Sequence, residues 1–269
     1  MALRSIVAIP SGGDGLDAAL ESAADAICLA LNDAARPVGA LRIAATEALP
    51  RIRQAGKLAL VLVNHPRTRL LRDDLDAIVT PDLSGVLLAH ATMPQDVRDL
   101  AVLLREFEYT RGIEPGDVAA YPVIDTARGL LRAPEIVDAV PRVGGLVFAA
   151  AAYARDTGAR HEEKGPRLAY ARGAVVAAAC AFDRLPLVIA EPFELLDLSH
   201  YGFAGAILPD TRGIAAANAA FTPTAAARRH AEEAIATFDA ARAEGAWVAR
   251  MGREVIDSHA ARKARHVLE

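Results

Sequence analysis

An α/β architecture, a closed (β/α)8 barrel of the TIM-barrel kind with a C-terminal helical extension, is the fold this sequence predicts. Three observations predict it. Short apolar segments of strand length alternate with amphipathic, helix-like segments eight times before residue 209. The chain is 53% hydrophobic but only 5% aromatic, so its apolar bulk is Ala, Val, Leu and Ile, which suits parallel strands buried on both faces. Its 269 residues match one barrel-sized domain. Regular alternation gives a parallel sheet, and eight units favour closure over an open sheet.

The elements follow in order. Ser5–Pro10 is apolar and β-branched, and Asp14–Ser22 is helix-like. Asp25–Leu31 is a second strand, followed by an amphipathic stretch, Val38–Gln54, that Gly56 can stop. Lys57–Val63 is the third strand and Asp73–Val79 a short helix. Gly85–Ala89 is the fourth strand, and Pro94 then stands in the first turn of a helix reaching Tyr109. Val118–Ile124 is the fifth strand, with a helix after it to Ala139. Gly145–Ala149, Leu187–Ala190 and Phe203–Leu208 complete the eight, connected by a long helix, Pro166–Phe182, and a short crossover, Phe193–Tyr201. Residues 1–220 are therefore expected to form the barrel. Residues 221–269 form the extension: a Thr-Pro start at Thr222 and Pro223, a helix Ala225–Ala243 ending at Gly245, extended pieces around Gly252, and a basic helix His259–Leu268. With few strands to join, this tail is expected to pack on the barrel or on a neighbouring subunit.

Composition narrows the function. The net charge of −4 offers no basic field for nucleic acid, and no apolar run reaches the length of a membrane span. The first residues run straight into a strand-like segment, so no signal peptide is expected. Cys28 and Cys180 lie in apolar runs and read as buried thiols of a cytoplasmic protein, not as a disulfide or a metal site.

The stretch from Val118 to Ala133 carries the chemistry. It is an apolar strand that turns polar at Asp125 and Thr126 and then becomes helical. A carboxylate at the C-terminal end of a barrel strand is where such barrels place catalysis, and the same spacing also suits a helix N-cap. Two other motifs are weaker. Gly13-Asp14-Gly15 with Asp33 twenty residues on has the spacing of a dinucleotide-binding turn, although a first βα loop of any kind looks similar. His161-Glu162-Glu163 lacks the second histidine of a metalloprotease helix and reads as a solvated loop. His65 and His200 have no ligand spacing.

Further segments, read together, resemble one family. Leu29–Pro37, Val61–Asn64, Gly85–Leu88, Ile124–Gly129, Pro141–Phe148, Leu168–Arg172, Asn218–Thr224 and Gly252–Asp257 are similar, in order, to the citrate lyase beta subunit family of the HpcH/HpaI aldolase superfamily. The resemblance implies a (β/α)8 barrel that assembles as a homotrimer, with Mg2+ assisting carbon–carbon bond cleavage or formation in hydroxyacyl-CoA or hydroxy-diacid substrates. It implies Asp125, Asn64 and His90 as catalytic positions, Asn32, Asp33 and Arg128 as substrate contacts, and Asp125 as the metal ligand. Its partners would be a small-molecule acid or an acyl-CoA.

The departures from the family pattern fall on charged positions. Ala30 and Asn32 stand for an Asp and a Glu, Leu62 for an Arg, and His90 for a Lys. Asp125 stands for a longer Glu, Ala149-Ala150-Ala151-Ala152 for a Gly-Ala-Glu-Asp run, and Ala206 and Asp210 for a Lys and a His. Mg2+ favours carboxylates in a strict octahedron, and losing an Arg removes a bidentate carboxylate clamp. Two functions follow: a lyase with an impaired or altered site, or a catalytically silent paralogue that binds an acyl-CoA or acid or serves as a partner subunit.

Overall fold

The structure is a computed structural model and describes residues 3–159, 168–191 and 194–268. Eight strands, β1 (Ser5–Pro10), β2 (Ala26–Ala30), β3 (Leu58–Val63), β4 (Gly85–Leu88), β5 (Ala119–Ile124), β6 (Gly145–Ala149), β7 (Leu185–Ile189) and β8 (Gly205–Leu208), pair in sequence order and close on themselves. Every pairing is parallel, including the closing one, where Ser5 stands opposite Ala206. The predicted (β/α)8 barrel is therefore the fold.

Alternation along each strand sorts side chains into two layers. One residue parity fills the lumen: Ile6, Cys28, Leu60, Leu87, Tyr121, Val123, Val147, Leu187 and Ile207 are all buried there. Tyr121 is the largest lumen residue, and Gly85 makes room for it, since a Cβ there would sit 2.9 Å from the Tyr121 ring. The other parity, with Val7, Ile27, Val61, Val86, Ile124, Phe148 and Val188, packs outward against the helices.

Those helices are α1 (Leu16–Glu21), α2 (Val38–Gln54), α3 (Leu71–Ile78), α4 (Pro94–Thr110), α5 (Ala127–Leu131), α6 (Ala133–Val137), α7 (Ala150–Thr157), α8 (Ala169–Ala181), α9 (Leu195–Tyr201) and α10 (Ile214–Phe221). The single helix expected after β5 is two, α5 and α6, because Pro134 cannot donate to a continuing helix and restricts the residue before it. Two helices were not expected: α7, an alanine-rich piece stopped by left-handed Gly158, and α10. β7 begins at Leu185, two residues before the expected Leu187. The expected helix starts at Pro166 and Phe193, and the His161-Glu162-Glu163 motif, lie outside the described residues.

Ionic and amide contacts fix the frame. Glu108 on α4 is fully buried, meets Arg142 in two contacts of 2.8 and 2.7 Å, and accepts from the amides of Gly116 and Val118 at the start of β5. Asn218 on α10 accepts from Ser5 on β1 and donates to the Ala23 carbonyl before β2, so one side chain ties the barrel's last helix to its first strand and to the segment before its second.

The chain divides into two compact units, the barrel from Leu3 to Phe221 and a second carried by the residues from Thr222 onward. In the second unit α11 (Ala225–Ala243), an antiparallel hairpin of β9 (Val248–Met251) and β10 (Glu254–Asp257), and α12 (Ser258–Leu268) share a small core of Ala231, Ala234, Phe238, Ile256, Ala261 and Ala264. Thr224 caps α11 by accepting from the Ala227 amide. No helix among the described residues is long and apolar enough to cross a membrane.

Candidate functional site

The C-terminal ends of the eight strands meet at one mouth, and register says which residues face it. Pro10 stands opposite Ala30, Ala30 opposite Leu62, and Ala149 opposite Ile189. Ala149 belongs to the lumen cluster, with Ala8, Leu62 and Ala152 packed against it. Two residues beyond Val123 on the same parity comes Asp125. The inward strand positions named here are thus small and aliphatic, followed on the fifth strand by Asp125, which the charge of Asp156 on α7 also reaches.

Asp125 is 5% exposed, and one of its oxygens faces His90. Oδ2 lies 2.6 Å from Nδ1 of His90, whose side chain is 67% exposed. The two attract as an ion pair when the imidazole is protonated. Oδ1 is buried without a hydrogen-bond partner. Burial pushes the Asp125 carboxyl above the ordinary carboxylate range, against the opposing charge of His90.

Local structure explains how the two residues meet. His90 follows β4 with φ at 56°, a left-handed conformation uncommon for non-glycine residues, though histidine takes it more often than most. The next amide, of Ala91, donates to the Val123 carbonyl of β5, which pulls the segment toward Asp125. From the other side, α5 approaches so closely that a Cβ on Gly129 would lie 2.5 Å from the Ala91 carbonyl oxygen. Thr126, not Asp125, caps α5 by accepting from the Gly129 amide, and Asp156 of α7 accepts from the Ala127 amide. The cap reading of Asp125 is thereby corrected: the next residue takes that role, and the carboxylate is left to the mouth.

The remaining expected site residues make other contacts. Asn64 donates twice, from its backbone and its side chain, to Oδ2 of buried Asp74, whose other oxygen accepts from Arg42. Asn32 is exposed, Asp33 accepts from the Ala35 amide within its own loop, and Arg128 is exposed on α5. Ala206 is fully buried on the outward parity of β8, so a cation there would face the helices and not the mouth. A second imidazole–carboxylate contact, His65 Nε2 to Asp96 at 3.4 Å, is misaligned, and Asp96 is already saturated by Thr92, Met93 and Arg67. Burial would raise the Asp96 carboxyl, but the Thr92 amide and hydroxyl and the nearby His65 hold it below its ordinary range.

Sequence reasoning missed Ile189 and Ala8 at the mouth. The two-residue period of their strands was the signal that could have placed them there.

Among the described residues the donor set does not fit Mg2+. One oxygen of Asp125 is engaged by an imidazole, the residues after β6 are alanines, and among the described residues no group of three His, Cys, Asp or Glu side chains could hold a metal ion. Mg2+ needs an octahedron of oxygens at short range.

Comparison with known proteins agrees with the fold. A family model described as HpcH/HpaI aldolase/citrate lyase matches residues 14–191. A citrate lyase subunit beta-like protein from Deinococcus radiodurans is 29% identical over 99% of this chain and 96% of its own length. A (3S)-malyl-CoA thioesterase from Cereibacter sphaeroides is 27% identical over 95% of this chain and 90% of its own. The solved structure of CitE from Mycobacterium tuberculosis in complex with magnesium, acetoacetate and coenzyme A superposes with a TM-score of 0.67 at 22% identity, covering 99% of this chain and 97% of that one.

Proposed function

This chain belongs to the HpcH/HpaI aldolase/citrate lyase family, and on that premise we propose that its mouth binds an acyl-CoA-type thioester and acts on it through His90 and Asp125 instead of through Mg2+-assisted carbon–carbon cleavage. The observation that carries the reading is the 2.6 Å contact between an exposed imidazole and a buried carboxylate. Thioester chemistry is supported by the similarity to a malyl-CoA thioesterase and to a structure holding coenzyme A.

Hydrolysis is the reaction such a pair serves best. Asp125 holds the proton on Nδ1, which leaves Nε2 free to take a proton from water. The water oxygen bonds to the thioester carbonyl carbon, the carbon–sulfur bond breaks, and the departing thiolate receives the proton from Nε2. The products are a carboxylic acid and a thiol. Carbon–carbon cleavage would need a group that stabilises an enolate, and the inward positions of the mouth carry Ala30, Leu62, Ala149 and Ile189 instead.

A second reading, a subunit that binds the thioester without turning it over, is favoured by that same lack of a cation at the inward positions. Under either reading the protein is a cytoplasmic homo-oligomer.

The test is thiol release from hydroxyacyl-CoA thioesters, with products analysed. Hydrolysis is expected to proceed equally in EDTA and in millimolar Mg2+, and to fall about 100-fold or more in His90→Ala, the usual scale for a lost general base. Cleavage of citryl-CoA, malyl-CoA and citramalyl-CoA to carbon–carbon products is expected at background. Robust Mg2+-dependent cleavage of any of these would refute the proposal, and thiol release unchanged in His90→Ala would leave only the binding reading.

A further inference from the structure

The mouth has a polarity that the pairing of His90 with Asp125 does not use. Oδ1 of Asp125 is buried and has no partner. An unpartnered buried acceptor costs on the order of a hydrogen bond's desolvation, so a ligand O–H or N–H placed there removes that cost. Around it the inward side chains are apolar. Leu62 is half-buried, Ile189 is 42% exposed, and Ala30 and Ala149 complete the register. The imidazole that could have met a ligand anion already faces Asp125. A carboxylate entering this ring would be desolvated beside another carboxylate, with no cation among the described inward strand positions. A methyl or methylene group would be buried against Leu62 and Ile189 favourably.

From this arrangement we infer that the site selects a neutral, hydroxylated aliphatic acyl group and rejects its carboxylate analogue, with Leu62 and Ile189 as the specificity-determining residues and Asp125 Oδ1 as acceptor for the hydroxyl. The inference rests on the thioester reading above and names the substrate class for that site. A hydroxyacyl group whose distal carbon is a methyl fills the ring. The same group ending in a carboxylate leaves an unpaired charge there.

Three thioesters separate the contributions: 3-hydroxybutyryl-CoA, malyl-CoA, which replaces its methyl by a carboxylate, and butyryl-CoA, which lacks the hydroxyl. Equilibrium binding to the full chain is measured by calorimetry, so turnover is not the readout. 3-Hydroxybutyryl-CoA is expected to bind at least 10-fold more tightly than malyl-CoA and several-fold more tightly than butyryl-CoA. Ile189→Arg, at an exposed position that tolerates the change, and Leu62→Arg are each expected to reverse the preference between methyl and carboxylate. Asp125→Ala is expected to keep that preference and lose the one for the hydroxyl. Malyl-CoA binding as tightly as 3-hydroxybutyryl-CoA, or an Ile189→Arg chain with an unchanged preference and an unchanged melting temperature, overturns this inference and leaves the thioester reading standing. Failure of all three to bind removes both.

Discussion

At the scale of the residue, the site is the work of neighbours more than of the two groups that meet in it. His90 is in a left-handed backbone conformation, which costs a non-glycine residue about 1–3 kcal/mol and persists only where the surroundings enforce it. The enforcing contacts are the Ala91 amide on the Val123 carbonyl and the packing of Gly129 on the Ala91 carbonyl. Gly129→Ala must therefore move either α5 or the His90 segment. It is expected to destabilise the fold by about 1–3 kcal/mol, as overpacking does, seen as a lower melting temperature with a parallel loss of thiol release. An alanine at 129 that changes neither would show that the close approach is not what holds His90. By contrast, the Cys28 thiol is pushed up to about 12 by its burial in the lumen.

At the scale of the element, the junctions decide more than the elements do. α4 is tied to β5 through Glu108, whose carboxylate has no exposure and takes its bonds from Arg142, Gly116 and Val118. Those bonds hold it below the ordinary glutamate range although burial alone would raise it. The sign follows directly. A carboxylate with a depressed value in the folded chain adds stability that is fully present above its unfolded value, 4.5, and is lost as pH falls through the folded one. Glu108→Ala leaves Arg142 buried and unpaired and is expected to cost about 3–5 kcal/mol near neutral pH. The difference from the unmodified chain should shrink in denaturant titrations taken progressively below pH 4.5. A pH-independent difference would place the loss in packing instead. The strands themselves were legible because their apolar runs are continuous, and α4 because Pro94 marks its start. α7 was not: an alanine-rich run after a buried strand carries no amphipathic period, and only Gly158 marks its end.

At the scale of the whole molecule, the barrel closes through contacts distant in sequence, such as Ser5 with Asn218. The second unit has its own core around Phe238 and Ile256, and its basic helix α12 is expected to engage a neighbouring chain in a homotrimer. Light scattering on the full chain is expected to give three times the mass of one chain, and on a truncation before Gly245 a smaller assembly. A monomer in both would rule the trimer out.

The sequence by itself determined the barrel, because eight apolar strand segments of the right length admit few other closed arrangements, and it determined that Asp125 ends the fifth strand. It also placed alanine and leucine where the family pattern carries charge. Only the tertiary structure decided which polar groups meet. Asn64 turns to Asp74, Thr126 takes the helix cap, Ala206 faces the helices, and His90 reaches Asp125. Strand periodicity is local and fixes which face a side chain occupies. Partnership depends on backbone conformation and on close approaches between segments far apart in the chain, and His90 at 56° and Gly129 against Ala91 are features no local pattern encodes.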